Sequence, residues 1–269
     1  MTKNKAPITS KGWTAIVLAG QRPGVDPLAA HFGHSWKALV PIAGEAMVTH
    51  VVRTLSAVPN IARILVLAQD VAVLQAAVDA GGCAQLRPSH QGISTSILAY
   101  AGDEEAPWPV LVTTADHPLL TPDMVTEFLM KASASAADVS VAMVEKHVML
   151  SAYPDNKRTW LRFRDGHWSG ANLFALHSDR ARAALTLWAS AEQDRKQAWK
   201  LFLHFGPRLA LRALTRSIGL GAALARAGER LGLSARLIPM SMAEAAIDVD
   251  KPSDHALATA ILEHRLNQA

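Results

Sequence analysis

The run from Trp13 to Ala19 carries no charge, centres on Ile16 and Val17, and stops at Gly20. Such a stretch before a glycine turn fits a strand covered on both faces of a parallel sheet. It is expected to be the first, central strand. Further expected strands at 62–68, 83–87, 109–115 and 138–145 alternate with expected helices at about 45–57, 70–80, 93–101 and 121–134. This alternation predicts an α/β fold, a Rossmann-like, mostly parallel sheet with helices on both faces and right-handed crossovers. After residue 150 the pattern changes. Segments 157–163 and 170–176 read as strands of a small mixed sheet, and a helical insertion is expected at about 178–233. A last strand at 235–240 and a helix at 252–266 return the chain to the main sheet. Residues 1–11 read as a polar tail, and 12–269 as one domain.

The turn after the first strand has the chemistry of a triphosphate site. Gly20 has no side chain to keep backbone N–H groups from phosphate oxygens, and Arg22 and Lys37 add fixed positive charge. Neither the Gly-x-x-x-x-Gly-Lys-Ser/Thr loop nor Gly-x-Gly-x-x-Gly is present here. In the segment from Arg87 to Leu98, a glycine-led loop enters a helix whose first-turn N–H groups and hydroxyls are free donors, with Gly92, Ser94 and Ser96 as the candidates. The strand from Val110 ends in Thr114-Ala115-Asp116, which places a carboxylate at the ligand crevice of an open α/β sheet. Near the end of the chain stands Ala246-Ile-Asp-Val-Asp-Lys-Pro-Ser-Asp254.

These segments, in this order, resemble the signature of the MobA-like NTP transferase (nucleotidyltransferase) family, which has a glycosyltransferase-A-like fold. Leu18-Ala19-Gly20-Gln21-Arg22 with Lys37 matches its Leu-Ala-Gly-Gly-x-x-x-Arg…Lys loop. Gln21 stands for the second Gly, and the insertion before Lys37 is longer than usual. The resemblance implies that Leu18, Ala19, Gly20, Gln21, Gly92, Ser94, Ser96, Thr114 and Ala115 line the nucleotide, and that Arg22 and Lys37 act catalytically on the triphosphate. It also implies that Asp116, with Asp250 and Asp248 opposite, binds Mg2+, and that Asn172, in Gly170-Ala-Asn172, borders the acceptor. The implied reaction moves an NMP, CMP or GMP favoured, from an NTP to a phosphorylated acceptor, a lipid-related or a polyol or sugar phosphate. Pyrophosphate would leave. A phosphate monoester is already anionic near neutral pH, so no general base is needed. A molybdopterin-type nucleotidyltransferase and a non-catalytic nucleotide-binding or membrane-surface protein are the alternatives. A sugar transferase of this fold would carry Asp-x-Asp at the end of the central strand. Here that place reads Ala115-Asp116-His117 and the Asp-x-Asp lies at 248–250, which argues against sugar transfer.

Simpler roles suit several of these residues. Asp116 would also serve as N-cap of the helix beginning near Thr121, Asp248 or Asp250 as cap of the last helix, and Asp254 as its first-turn dipole partner. Ser94, Thr95 and Ser96 are ordinary helix-start residues, and Asn172 an ordinary turn residue. His31, His34, His90 and His117 lack metal-ligand spacing and read as rim residues of the site. The single cysteine, Cys83, has no internal partner, which suits a reducing, cytoplasmic setting.

Residues 180–236 hold eleven Arg or Lys against three acids, a local net of +8 in a chain whose total is +4. Arg208, Arg212 and Arg216 recur every four residues, among Trp199, Phe202, Phe205 and Leu209. The reading is a basic amphipathic helical hairpin at 195–216, broken at Gly206-Pro207. It would suit peripheral contact with an anionic membrane at the inner face, a lipid-linked phosphate, or the steering of a charged acceptor; a plain solvated face is the other reading. Its aromatics sit at helical spacing among aliphatics, which argues against nucleic acid.

Overall fold

In the computed structural model the described residues are 12–193 and 206–268. The uncharged run forms β1 (Trp13–Leu18), and its residues alternate between two cores: Ala15 and Val17 on one side of the sheet, Ile16 on the other. This two-sided burial is why no polar alternation marks the strand. Beyond it follow β2 (Pro41–Ile42), β3 (Glu45–Ala46), β4 (Ile61–Ala68), β5 (Gln85–Pro88), β6 (Val110–Thr114), β7 (Val139–Glu145), β8 (Leu161–Phe163), β9 (Gly166–Leu176) and β10 (Ala235–Pro239). The main sheet runs β10-β7-β9-β6-β1-β4-β5, with β8 paired to β9 beside this path. β1 is parallel to β4 and β6, β4 to β5, and β7 to β10. Only β2 and β3 form a separate sheet among the described residues, a small antiparallel pair turned by Ala43 and Gly44 at positive φ.

One difference from the sequence reading bears on the site. Residues 170–176 belong to β9, which threads the main sheet antiparallel between β6 and β7, and of 157–163 only Leu161–Phe163 is strand. The reason is burial on both faces. Ala171, Leu173 and Ala175 enter the first core, while Phe174 and Leu176 enter the second.

The helices are α1 (Pro27–His31), α2 (Met47–Ser56), α3 (Val71–Gly81), α4 (Ile93–Tyr100), α5 (Pro122–Ser135), α6 (Lys146–Ala152), α7 (Ala181–Gln193), α8 (Pro207–Leu214), α9 (Leu220–Arg230) and α10 (Pro252–Leu266). Val51 and Val52 of α2, Leu74 of α3 and Phe128 of α5 fill the first core; Ile97 of α4, Leu185 of α7 and Leu224 of α9 fill the second. Helices thus cover both faces of the sheet. Thr121 caps α5, its hydroxyl accepting from the Met124 N–H, so Asp116 is not needed there. Asp254 lies in the first turn of α10 and accepts from the Asp250 N–H. The hairpin expected at 195–216 lies in part outside the described residues; within them, α8 begins after Gly206, whose φ of 91° suits glycine, with Pro207 in its first turn. Among the described residues no helix is long and apolar enough to cross a membrane.

Candidate active site

The carboxyl ends of β1, β4 and β6 meet at one crevice, as adjacency in a parallel sheet requires. β1 delivers Leu18 and Ala19, tied to its neighbours by Ala115 N–H to Leu18 O at 3.0 Å and Ala19 N–H to Leu67 O at 2.9 Å. A Cβ on Gly20 would stand 3.0 Å from the Gln69 carboxamide, so the bare glycine admits that side chain. Gln69, at the end of β4, accepts from the Gln21 N–H at 3.1 Å and donates to the Gln21 carbonyl at 2.8 Å. Gln21 then reaches across the loop, donating to Ser35 O at 2.9 Å and accepting the Lys37 N–H at 3.1 Å. The residue that departs from the family's second glycine therefore closes the long insertion onto the start of the lysine turn. Arg22, exposed beside this latch, takes no ion-pair partner among the described residues.

Lys37 extends from that turn into a carboxylate pair. Its Nζ lies 2.6 Å from Asp116 Oδ2 and 2.5 Å from Asp250 Oδ1. Burial disfavours the ammonium, but the two carboxylates more than offset this and hold its pKa above the ordinary lysine value. Asp250 arrives because the Val249 N–H bonds Asp116 O at 2.9 Å, pinning the 248–250 segment to the end of β6. Asp116 Oδ1 is buried and has no partner among the described residues. Two carboxylates converging on one cation, one with an unused oxygen, are hard donors of the kind magnesium takes, and it commonly binds through one or two carboxylates and substrate phosphates. This pair fits such an ion. Among the described residues no group of three or more His, Cys, Asp or Glu converges as a ready metal cage.

Asp248 is placed differently. Its Oδ1 accepts from Arg158 Nη2 at 2.6 Å and its Oδ2 from Asn172 Nδ2 at 3.3 Å. Burial raises the Asp248 pKa, and Arg158 overcomes this to hold it below the usual carboxylate range. Asp248 is therefore the acceptor of an Arg158–Asn172 clamp, with partners other than Lys37. Asn172 reaches it because β9 is irregular there: Ala142 lies opposite a stretch that bulges between Gly170 and Phe174, and Asn172 adopts φ 48°. Asn tolerates this left-handed conformation, and bulges re-aim side chains. Gly170 has open space where a Cβ would be, so this backbone sets no steric need for glycine.

The glycine-led loop is braced internally. Ser96 Oγ donates to Gly92 O at 2.7 Å and accepts from the His90 N–H at 2.8 Å, and Thr95 Oγ1 accepts from the Gly92 N–H at 2.9 Å. Ser94 Oγ and Thr114 Oγ1 are buried without partners among the described residues, whereas the Ser94 N–H bonds Glu192 of α7 at 3.2 Å. His117 is not on the rim. It is 1% exposed, bonds Glu244 O through Nε2, and burial holds its pKa below the ordinary value. Sequence reasoning missed Gln69, Arg158 and Glu192. Gln69 follows a strand end that faces the crevice, a usable signal; Arg158 and Glu192 meet partners 90 and 98 residues away and have no local one.

A family model for the MobA-like NTP transferase domain matches residues 15–227. A hypothetical transferase from Thermus thermophilus is similar at 30% identity and TM-score 0.75, over 91% of this chain and 99% of that one. A 4-diphosphocytidyl-2C-methyl-D-erythritol synthase from Anaerococcus prevotii shares the fold at 11% identity and TM-score 0.57, over 97% of this chain and 100% of its own. A CMP:2-keto-3-deoxy-manno-octonic acid synthetase complexed with CTP does so at 18% identity and TM-score 0.57, over 94% and 100%. No curated protein matches the chain. With the family matched over most of its length and the loop, lysine and carboxylates gathered at one crevice, the chain belongs to the MobA-like NTP transferase family and is a nucleotidyltransferase.

Proposed function

We propose that the protein is magnesium-dependent and transfers CMP or GMP from the NTP to a phosphorylated acceptor, giving an NDP-activated product. The observation that carries this reading is the Lys37 bridge to Asp116 and Asp250 beside the latched loop at Gly20. Asp116 and Asp250 would hold the ion, whose chemistry is to neutralise charge on the α-phosphate. Lys37, with Arg22, would supply fixed positive charge to the triphosphate and stabilise the leaving pyrophosphate; such preorganised charge is usually the largest catalytic contribution. Backbone at Leu18, Ala19, Gly20 and Gln21, with Gly92, Ser94, Ser96, Thr114 and Ala115, would receive the rest of the nucleotide. Asn172, and Arg158 beside it, would face the acceptor, a polyol, sugar or lipid-related phosphate. A phosphate monoester carries most of its second negative charge at pH 7, so its oxygen attacks without a base. The fold shared with a synthetase complexed with CTP supports CMP as one candidate group. We further read residues 12–269 as one domain working in the cytoplasm, the insertion at about 178–233 lying on the acceptor side and the 195–216 hairpin touching anionic membrane.

A thermal-shift series with CTP, GTP, UTP and ATP plus magnesium tests this reading. A nucleotide at 100 times its dissociation constant stabilises by about 2.7 kcal/mol. The stabilising nucleotide is then combined with a panel of phosphate monoesters and pyrophosphate release is followed. If no nucleotide raises Tm, or none of the monoesters prompts pyrophosphate release, the reading fails.

A further inference from the structure

Between α8 and α9 lies an open cavity of about 370 Å³ lined by Arg208, Leu209, Arg212, Arg226, Glu229 and Arg230. Four guanidinium-bearing side chains and one carboxylate therefore line a single concavity. Elsewhere some arginines are compensated, Arg53 by Glu45, Arg87 by Glu105, Arg158 by Asp248 and Arg182 by Asp179, and others, such as Arg22, stand on the surface with no ion-pair partner among the described residues. Arg208, Arg212, Arg226 and Arg230 form no ion pair with any described residue, Glu229 included, although Glu229 shares their cavity. The backbone brings them together. Arg208 and Arg212 are one helical turn apart on α8, Arg226 and Arg230 one turn apart on α9, and bare Gly206 lets the Arg230 guanidinium lie 3.3 Å from where a Cβ would stand. Like charges repel, and four guanidinium groups around a single carboxylate leave the cavity net positive, a deficit that a bound anion would offset. A planar fork of donors matches phosphate oxygens in particular.

We propose that this cavity binds a phosphate-bearing anion with at least two phosphate charges, as a second anion site separate from the transfer crevice. This rests on the proposed function only in taking phosphorylated compounds as this enzyme's substrates; the site itself follows from the arginines. Two sources share the chemistry, a soluble polyphosphate and a lipid headgroup. Leu211 and Leu214, 59% and 82% exposed on the same helix, would meet acyl chains if the source is a lipid.

The test compares Arg212→Gln/Arg226→Gln with Arg162→Gln/Arg164→Gln, an exposed pair on and beside β8 that removes equal charge but does not line the cavity. All proteins also carry Lys37→Ala, to weaken triphosphate binding at the transfer crevice. Tripolyphosphate is titrated by calorimetry in EDTA, and vesicles of phosphatidylcholine with or without phosphatidic acid are co-sedimented. The cavity pair is expected to weaken at least one probe tenfold or more, and the control pair less than twofold. Loss confined to tripolyphosphate assigns a soluble ligand; loss confined to phosphatidic acid vesicles assigns a headgroup. Equal loss in both pairs, or no binding of either probe before the arginines are changed, overturns the site. Arg212→Lys/Arg226→Lys retains charge without the fork and should fall between. Pyrophosphate release measured in the Lys37-containing background separates the two ideas, since the cavity can fail while transfer persists, and the reverse.

Discussion

The proposed nucleotide side and the proposed acceptor side of the crevice are built in opposite ways. On the nucleotide side four groups follow directly from strand ends: Gly20 and Gln21 from β1, Gln69 from β4, Asp116 from β6. On the acceptor side the Asp248 carboxylate is held by Arg158 and Asn172, 90 and 76 residues distant in sequence, and one of the two is aimed by a bulge. Parallel strands supply a crevice wherever they end, so the first kind of site comes with the topology. The second kind exists only if several long-range contacts form together. Changes on the nucleotide side should therefore impair turnover in an intact protein, whereas changes on the acceptor side should impair stability as well.

The largest effect is expected from Asp116→Asn, which removes a charge from Lys37 without changing volume. Transfer should fall by at least roughly a hundredfold, with Tm little changed, in assays of pyrophosphate release and thermal melting. Wild-type turnover in magnesium would break the contrast at its strongest point.

Arg158→Met comes next. It leaves Asp248 partly buried without its cation, and should cost about 2 kcal/mol of stability, read from chemical denaturation. The double change Arg158→Met/Asp248→Asn should recover part of that loss, while KM for the acceptor stays high and nucleotide affinity stays normal. A single variant as stable as the wild type would show that the clamp does not hold this side together.

Gln21→Ala sharpens the other half of the comparison. The side chain closes the loop through two hydrogen bonds, and its loss should lower NTP affinity about tenfold, equivalent to about 1.4 kcal/mol, with unfolding free energy within about 0.5 kcal/mol of wild type. Calorimetric titration decides, and unchanged affinity would show that the latch is idle.

The smallest effect concerns pH. Burial at the end of β9 holds the His177 pKa below its ordinary value, although Asp138 opposes this. The unfolded chain then takes up the proton first as pH falls. Stability is thus full above about pH 6.5 and declines below it, by at most about 1.4 kcal/mol per pH unit for one proton. His177→Leu should flatten the Tm profile between pH 7 and 5, relative to wild type. An equally steep profile in the variant would move the effect to another group.

Much of this molecule was legible in the sequence, for a physical reason. Two-sided burial writes itself into a strand as an apolar run, free of charge in β1 and β6 and interrupted only by Arg63 in β4, so these strands, and the strand-end segments 18–22 and 114–116 with them, could be placed from local pattern. The same rule applied to Gly170–Leu176 found the strand, but not that β9 enters the main sheet antiparallel, because pairing partners leave no mark on a strand's own composition. Asp248 and Asp250 read alike in Ile-Asp-Val-Asp, and their two-residue spacing would put both on one side of an extended segment; only contacts with distant parts of the chain give them different partners, Lys37 for Asp250, Arg158 and Asn172 for Asp248. The basic character of residues 180–236 was plain from composition, yet only the packing of α8 against α9 turned four of those charges towards one cavity. The sequence by itself determined which elements form and which ends carry charge; the tertiary structure decided which of those charges meet, because that depends on contacts between segments whose spacing in the chain carries no energy of its own.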